Sequence, residues 1–187
     1  MRRLLVLSLL ACAGPAPAAE VVVIRTDKGD VVVSLDDQRA PVTVANFLRY
    51  VEAKKYDGGR FHRTVHKDNQ PDNKVKIAVI QAGIDPKQKE FAPIELERTS
   101  RTGLKHVDGA ISMARDGPDT ATGDFFICVG DQPELDFGGK RNPDGQGFAA
   151  FGKVVKGMGV VKKIQSAPAD GQNLTPAIKI VKLTRKP

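Results

Sequence analysis

Tryptophan is absent from the 187-residue chain, and two tyrosines and eight phenylalanines make up its whole aromatic complement. So few rings offer no platform for stacked bases, and the lysines are dispersed rather than gathered in a stripe, so no nucleic-acid partner is expected. Cysteine is nearly as scarce. Cys12 and Cys128 are the only two, which excludes a disulfide framework, and Cys128, within the apolar run 125–129, reads as a buried strand residue rather than a reactive thiol. No apolar run reaches the ~20 residues of a membrane-spanning helix, so no membrane span is expected. His62 and His66 are four apart, but on a segment that reads as a strand, and they lack the intervening acid of a zinc-binding helix. Asp36-Asp37 and Gly138-Gly139-Lys140 read as turns rather than as a carboxylate dyad and a phosphate loop. Neither a metal nor a cofactor is expected.

What is present begins with an N-terminal layout of Arg2-Arg3, the apolar run 4–10 and the small-residue tract Ala16-Pro17-Ala18-Ala19. That is the three-part pattern of a signal peptide, so residues 1–19 are expected to be removed and residues 20–187 to work outside the cytoplasm, in the periplasm. Leu9-Leu10-Ala11-Cys12 offers a second reading, a lipoprotein anchored through Cys12. Without Arg2 and Arg3 the chain keeps 27 basic residues against 22 acidic ones, a net charge of +5, read as a solvated basic surface. The length suits a single domain.

Two β-branched runs, 20–26 and 31–35, flank Asp27-Lys28-Gly29-Asp30 and predict a hairpin. Val44, Phe47, Leu48 and Val51 recur at helical spacing behind Pro41, which predicts an amphipathic helix ending near Gly58-Gly59. Extended segments follow at 60–65, 75–81, 110–114, 125–129, 148–155 and 177–183, with a second short helix over 157–165. Many short strands and two helices favour a closed antiparallel barrel.

Five segments stand out: Phe61-His62-Arg63, Ile80-Gln81-Ala82-Gly83, Ser112-Met113-Ala114-Arg115, Phe125-Phe126-Ile127 and Phe151-Gly152-Lys153-Val154. In this order they resemble the cyclophilin family of peptidyl-prolyl isomerases over roughly residues 20–183. The resemblance implies a mainly β fold, a closed eight-stranded antiparallel barrel capped by two α-helices, with an active groove on its outer face. It also implies isomerisation of X–Pro bonds in proline-containing polypeptides, acting as a monomer and without cofactor, to assist the folding of exported proteins.

The chemistry sets modest requirements. Rotating an X–Pro bond breaks amide resonance, a barrier of ~18–20 kcal/mol, and the twisted state gains a lone pair on the prolyl nitrogen. A fixed cationic donor aimed at that nitrogen binds the twisted state better than either planar one. Arg63 matches the family's catalytic arginine. The resemblance places the proline ring in a cup of Val79, Phe126 and Leu135, with Phe148 on its rim. It assigns peptide backbone to Gln81 and to the edge segment Ala114-Arg115, and it brings Phe61, Met113 and Asp124 into the substrate site.

Departures from the family pattern are equally specific. Gly123-Asp124 replaces a usual Ser-Gln, Ala78 stands where an aromatic is common, Ala82 replaces a glycine, and Glu134 replaces an aromatic, which weakens cyclosporin-type ligands. About ten additional residues over 66–75 read as a polar surface loop. These departures support an alternative, a cyclophilin-fold peptide-binding module or holdase with weak or no isomerase activity.

Overall fold

Residues 20–186 are described by the structure, a computed structural model. The expectations for the signal peptide and for Cys12 lie outside the described residues. Strands β1 (Glu20–Thr26) and β2 (Gly29–Leu35) pair in register from Glu20↔Leu35 to Thr26↔Gly29, and Gly29, at φ 126°, supplies the positive φ that the turn requires. Helix α1 (Pro41–Glu52) starts on Pro41 and buries Val44, Phe47, Tyr50 and Val51. Then come β3 (Arg60–Val65), β4 (Val79–Gly83), the single-turn α2 (Thr99–Thr102), β5 (Ala110–Met113), β6 (Phe125–Cys128) and β7 (Ala150–Lys156). Helix α3 (Met158–Gln165), β8 (Ala169–Asp170) and β9 (Asn173–Lys186) complete the chain.

The strands close in the order β1-β2-β7-β5-β6-β4-β3-β9, with β9 returning to β1. Eight antiparallel strands form the barrel, and the two-residue β8 is an appendage on β9. Among the described residues three α-helices are present rather than the expected two, α2 being too short to leave a periodic signal. Residues 75–78 do not join β4 as expected. The buried Gln70 side chain accepts from the Ile77 amide (3.3 Å) and donates to the Ile77 carbonyl (2.8 Å), drawing that peptide away from the ladder.

Alternation along the strands divides the apolar residues into two clusters. Phe125 and Ile127 enter the barrel interior with Phe47, Tyr56, Phe61 and Phe151, whose rings meet at centroid separations of 5.2–6.0 Å. Phe126 and Cys128 point outward and join Val65, Ile77, Val79, Ala110 and Leu135. Burial pushes the Cys128 thiol far up, which leaves it inert. The outer cluster is the floor of the site.

Candidate active site

An open groove of about 430 Å³ lies over the outer cluster, its floor made by Val79, Phe126 and Leu135 with Ile77 beside them. A larger depression of 520 Å³ beside Leu104 and Val155 has no comparable floor of buried rings. Phe148 stands edge-on to Phe126 at 5.2 Å and 87°, giving the cup an aromatic wall. Phe126 itself lies parallel to the imidazole of His106, 5.9 Å beneath. Asp136 accepts at 2.7 Å from His106 Nδ1–H, which leaves Nε2 to accept from the Ser112 hydroxyl at 3.0 Å. Burial alone raises the Asp136 carboxyl, but the side-chain and backbone hydrogen bonds from His106, with the charge of Lys105, outweigh it and hold Asp136 below the usual range. This Ser-His-Asp set resembles a hydrolytic triad in composition, yet Ser112 and the His106 side chain are wholly buried. It braces the cup from behind.

Arg63 reaches the groove because β3 is irregular. Strict alternation sends Phe61 and Arg63 to the same face, and Phe61 is in the barrel interior. A bulge at His62 shifts the register on both sides of the strand, so that Phe61 faces Ala82 while Arg63 faces Gln81. The extra residue turns the Arg63 guanidinium outward. Gln172, in the β8–β9 turn, accepts from Arg63 Nε (2.9 Å) and Nη2 (2.6 Å), and Gln81 Oε1 accepts from Nη1 (3.0 Å). Burial makes Arg63 hold its proton less firmly than usual, but a guanidinium stays charged at any physiological pH. Among the described residues no carboxylate pairs with it.

Asp124 does not compete for Arg63. Its carboxylate accepts from Gln81 Nε2 at 3.2 Å and lies 3.6 Å from His62 Nε2. Gln81 is therefore locked at both ends, carbonyl to the arginine and amide to the carboxylate, which fixes which way its side chain points. Burial raises the Asp124 carboxyl, offset in part by His62 and Gln81. It rests directly on Gly83, where a Cβ would meet Asp124 Oδ1 at 2.0 Å.

Ala114 flanks the cup, and its amide donates to Asp124 O at 2.9 Å. The Arg115 side chain is turned inward: it pairs with Asp144 (2.7 Å), donates to Gly147 O and stacks its guanidinium 5.1 Å from the Phe148 ring. Arg115 lines the groove, and its peptide group makes no hydrogen bond among the described residues. Two expectations are corrected. Phe61 and Met113 are 0% and 1% exposed and belong to the barrel interior, because alternation gives the outward positions to their neighbours Ser112 and Ala114 and the bulge gives one to Arg63. Glu134 is tied to its own loop through the Lys140 amide. Half-buried Ala78 leaves the wall to Ile77.

Sequence reasoning missed Ile77, Arg141 and Gln172. Gly171 within a polar run marked a tight turn around Gln172, but nothing in the sequence connects that turn to Arg63, 109 positions away. The 66–75 loop is also more than surface: Gln70 is 1% exposed and holds Arg141 through Oε1 at 3.0 Å.

The arrangement joins an apolar cup, the oriented Arg63 guanidinium without a carboxylate partner among the described residues, and the Ala114-Arg115 segment that follows β5. Among the described residues, the serine and histidine beneath the cup are buried and no metal-ligating cluster is present. Residues 21–185 match the family model described as cyclophilin type peptidyl-prolyl cis-trans isomerase/CLD. The chain is 40% identical over 172 residues to peptidyl-prolyl cis-trans isomerase A of Dickeya dadantii, covering 88% of this chain and 82% of that protein. It is 35% identical over 147 residues to isomerase B of Escherichia coli, covering 78% and 84%. A crystal structure of a cyclophilin type isomerase from Cryptosporidium parvum superposes with a TM-score of 0.74 at 22% identity, over 91% of this chain and 99% of that one, which shows the fold. The chain belongs to the cyclophilin-type peptidyl-prolyl cis-trans isomerases, a family of enzymes acting on proline-containing peptides.

Proposed function

We propose that Arg63 is the catalytic residue and that this isomerase acts on X–Pro bonds of polypeptides exported from the cytoplasm, assisting their folding. The observation that carries the reading is the Arg63 guanidinium, held by Gln81 and Gln172 and free of any carboxylate partner among the described residues, beside the cup of Val79, Phe126, Leu135 and Phe148. The cup takes the proline ring, worth on the order of 2 kcal/mol of apolar burial. Main chain on one side of the proline pairs with Arg115 and Gln81, so that one segment is clamped while the other turns. As the bond twists, Arg63 donates toward the pyramidal nitrogen, and since its orientation is already set, little reorganisation accompanies that step.

Exchange spectroscopy on a proline peptide tests the assignment. Arg63→Ala is expected to lower the catalysed exchange rate by roughly 10²–10³-fold, the range for loss of a preorganised donor. Equal rates in the two proteins overturn it. Export rests on the sequence of residues 1–19 and is tested by fractionating cells that make the whole chain. The expected product is found in the periplasm, or held at a membrane through Cys12, with a mass lacking the residues before the cleavage point; an uncleaved cytoplasmic chain overturns it.

A further inference from the structure

The groove has a second guanidinium that the isomerisation step does not use. Arg141 follows the Leu135 turn and is fixed by two hydrogen bonds, to Gln70 Oε1 (3.0 Å) and to the Val75 carbonyl (2.7 Å), both from the same nitrogen, Nη1. Its Nη2 and Nε make no hydrogen bond among the described residues and are not buried, and its side chain lines the groove with Ile77, Asn142 and Arg63. Among the described residues no carboxylate pairs with it, whereas Arg115, also lining the groove, is neutralised by Asp144. Burial and the nearby charge of Arg63 both make Arg141 hold its proton less firmly, as expected of two cations sharing one concavity.

Negative charge is collected at the opposite end. Asp124 rests on Gly83 with Glu90 beside it, and Asp116 also lines the groove, while Arg141 is tied to residues before Val79. β4 itself runs about 13 Å from Val79 to Gly83, with the Arg141 tether at Val75 before its start and Asp124 against its last residue. The groove is thus polar along its length: cationic beyond the proline cup, anionic on the Asp124 side beside Ala114.

Resting on the isomerase reading, we infer that Arg141 is a specificity residue that selects prolyl peptides with an acidic residue on the side of the proline away from the Ala114-Arg115 edge. The recognised chemistry is a carboxylate, taken by the unpartnered Nε–Nη2 edge of a guanidinium whose geometry suits two-point contact. Gln70 is a positioning residue for it, and the 66–75 loop exists in this chain as the support of that contact.

The test uses the intact chain and blocked peptides of the form acetyl-Ala-Ala-Xaa-Pro-Yaa-Ala-amide, with Glu or Gln at Xaa or Yaa, measuring exchange rates and, by chemical-shift titration, Kd. At one of the two positions Glu is expected to be preferred over Gln by about fivefold, the scale of a partly exposed charge pair. At the other position Glu is expected to be neutral or disfavoured. Arg141→Gln brings the Glu/Gln ratio to about one, Arg141→Lys keeps part of it, and Gln70→Ala reduces it while the charge remains. The ratio is read within each protein, so a general loss of activity leaves it interpretable. An unchanged ratio in Arg141→Gln, or no preference in the intact chain, overturns the inference. Absence of catalysed exchange with every peptide defeats the isomerase reading alone, since the Kd ratio still decides the role of Arg141.

Discussion

Asp124 stands where the family usually has a neutral amide, and its surroundings account for a carboxylate there. The Gln81 amide and His62 face it, and Gly83 beneath leaves it space. Desolvation nonetheless raises its pKa from the ordinary 3.8. The native state therefore holds the Asp124 proton to higher pH than the unfolded chain does, so this group lowers stability as pH rises from the unfolded value through the raised one. Asp124→Asn, which keeps an acceptor for Gln81, is expected to raise Tm by roughly 2–4 °C at about pH 7 and to leave it unchanged at about pH 2, where both states are protonated. A lower Tm than the parent at about pH 7, read by thermal unfolding, counts against that account. At this scale Gln81 and Phe126 were legible in the sequence because adjacent residues mark them. Arg141 and Gln172 were not, since each gains its meaning from a partner tens of residues distant.

The β8–β9 hairpin is two residues wide on one side, yet it carries Gln172 to Arg63. Gln172 also donates to Asn69 O at 3.0 Å and accepts from the Thr64 amide through its carbonyl, so hairpin, 66–75 loop and β3 form one brace. Gln172→Ala is expected to lower kcat roughly tenfold with KM little changed, because the guanidinium loses its aim rather than its charge. Gln172→Glu keeps an acceptor but pairs the guanidinium with a carboxylate, and is expected not to restore the rate. A loss in KM with kcat intact shows that Gln172 binds peptide instead. Strands and helices α1 and α3 could be read from periodicity. The His62 bulge could not, and it decides that Arg63 is outside while Phe61 is inside. The late start of β4 escaped for a related reason: Val75 to Ile77 have strand-forming character, but a buried glutamine side chain satisfies Ile77 in place of the ladder.

For the whole molecule, residue patterning made closure of the barrel legible only as an architecture class that removes exposed edges, and the family resemblance supplied its eight strands. Strand order and the β1–β9 seam depend on contacts between the two ends of the sequence. Gly152 illustrates the difference. Its place in Phe151-Gly152-Lys153-Val154 signalled a family motif, while the reason for it is the approach of β2, whose Ser34 carbonyl would lie 2.4 Å from any Cβ there.

The seam has a consequence for handling the protein. Val21 pairs with Lys186, so both ends of the described chain emerge side by side, and in the ring of eight strands three stand between β1 and β6 whichever way one counts. Phe126 on β6 thus occupies the wall diametrically opposite the chain ends. A fusion partner, affinity tag or solid support joined at either end leaves the approach to the groove unobstructed, and a protein immobilised there presents its cup outward.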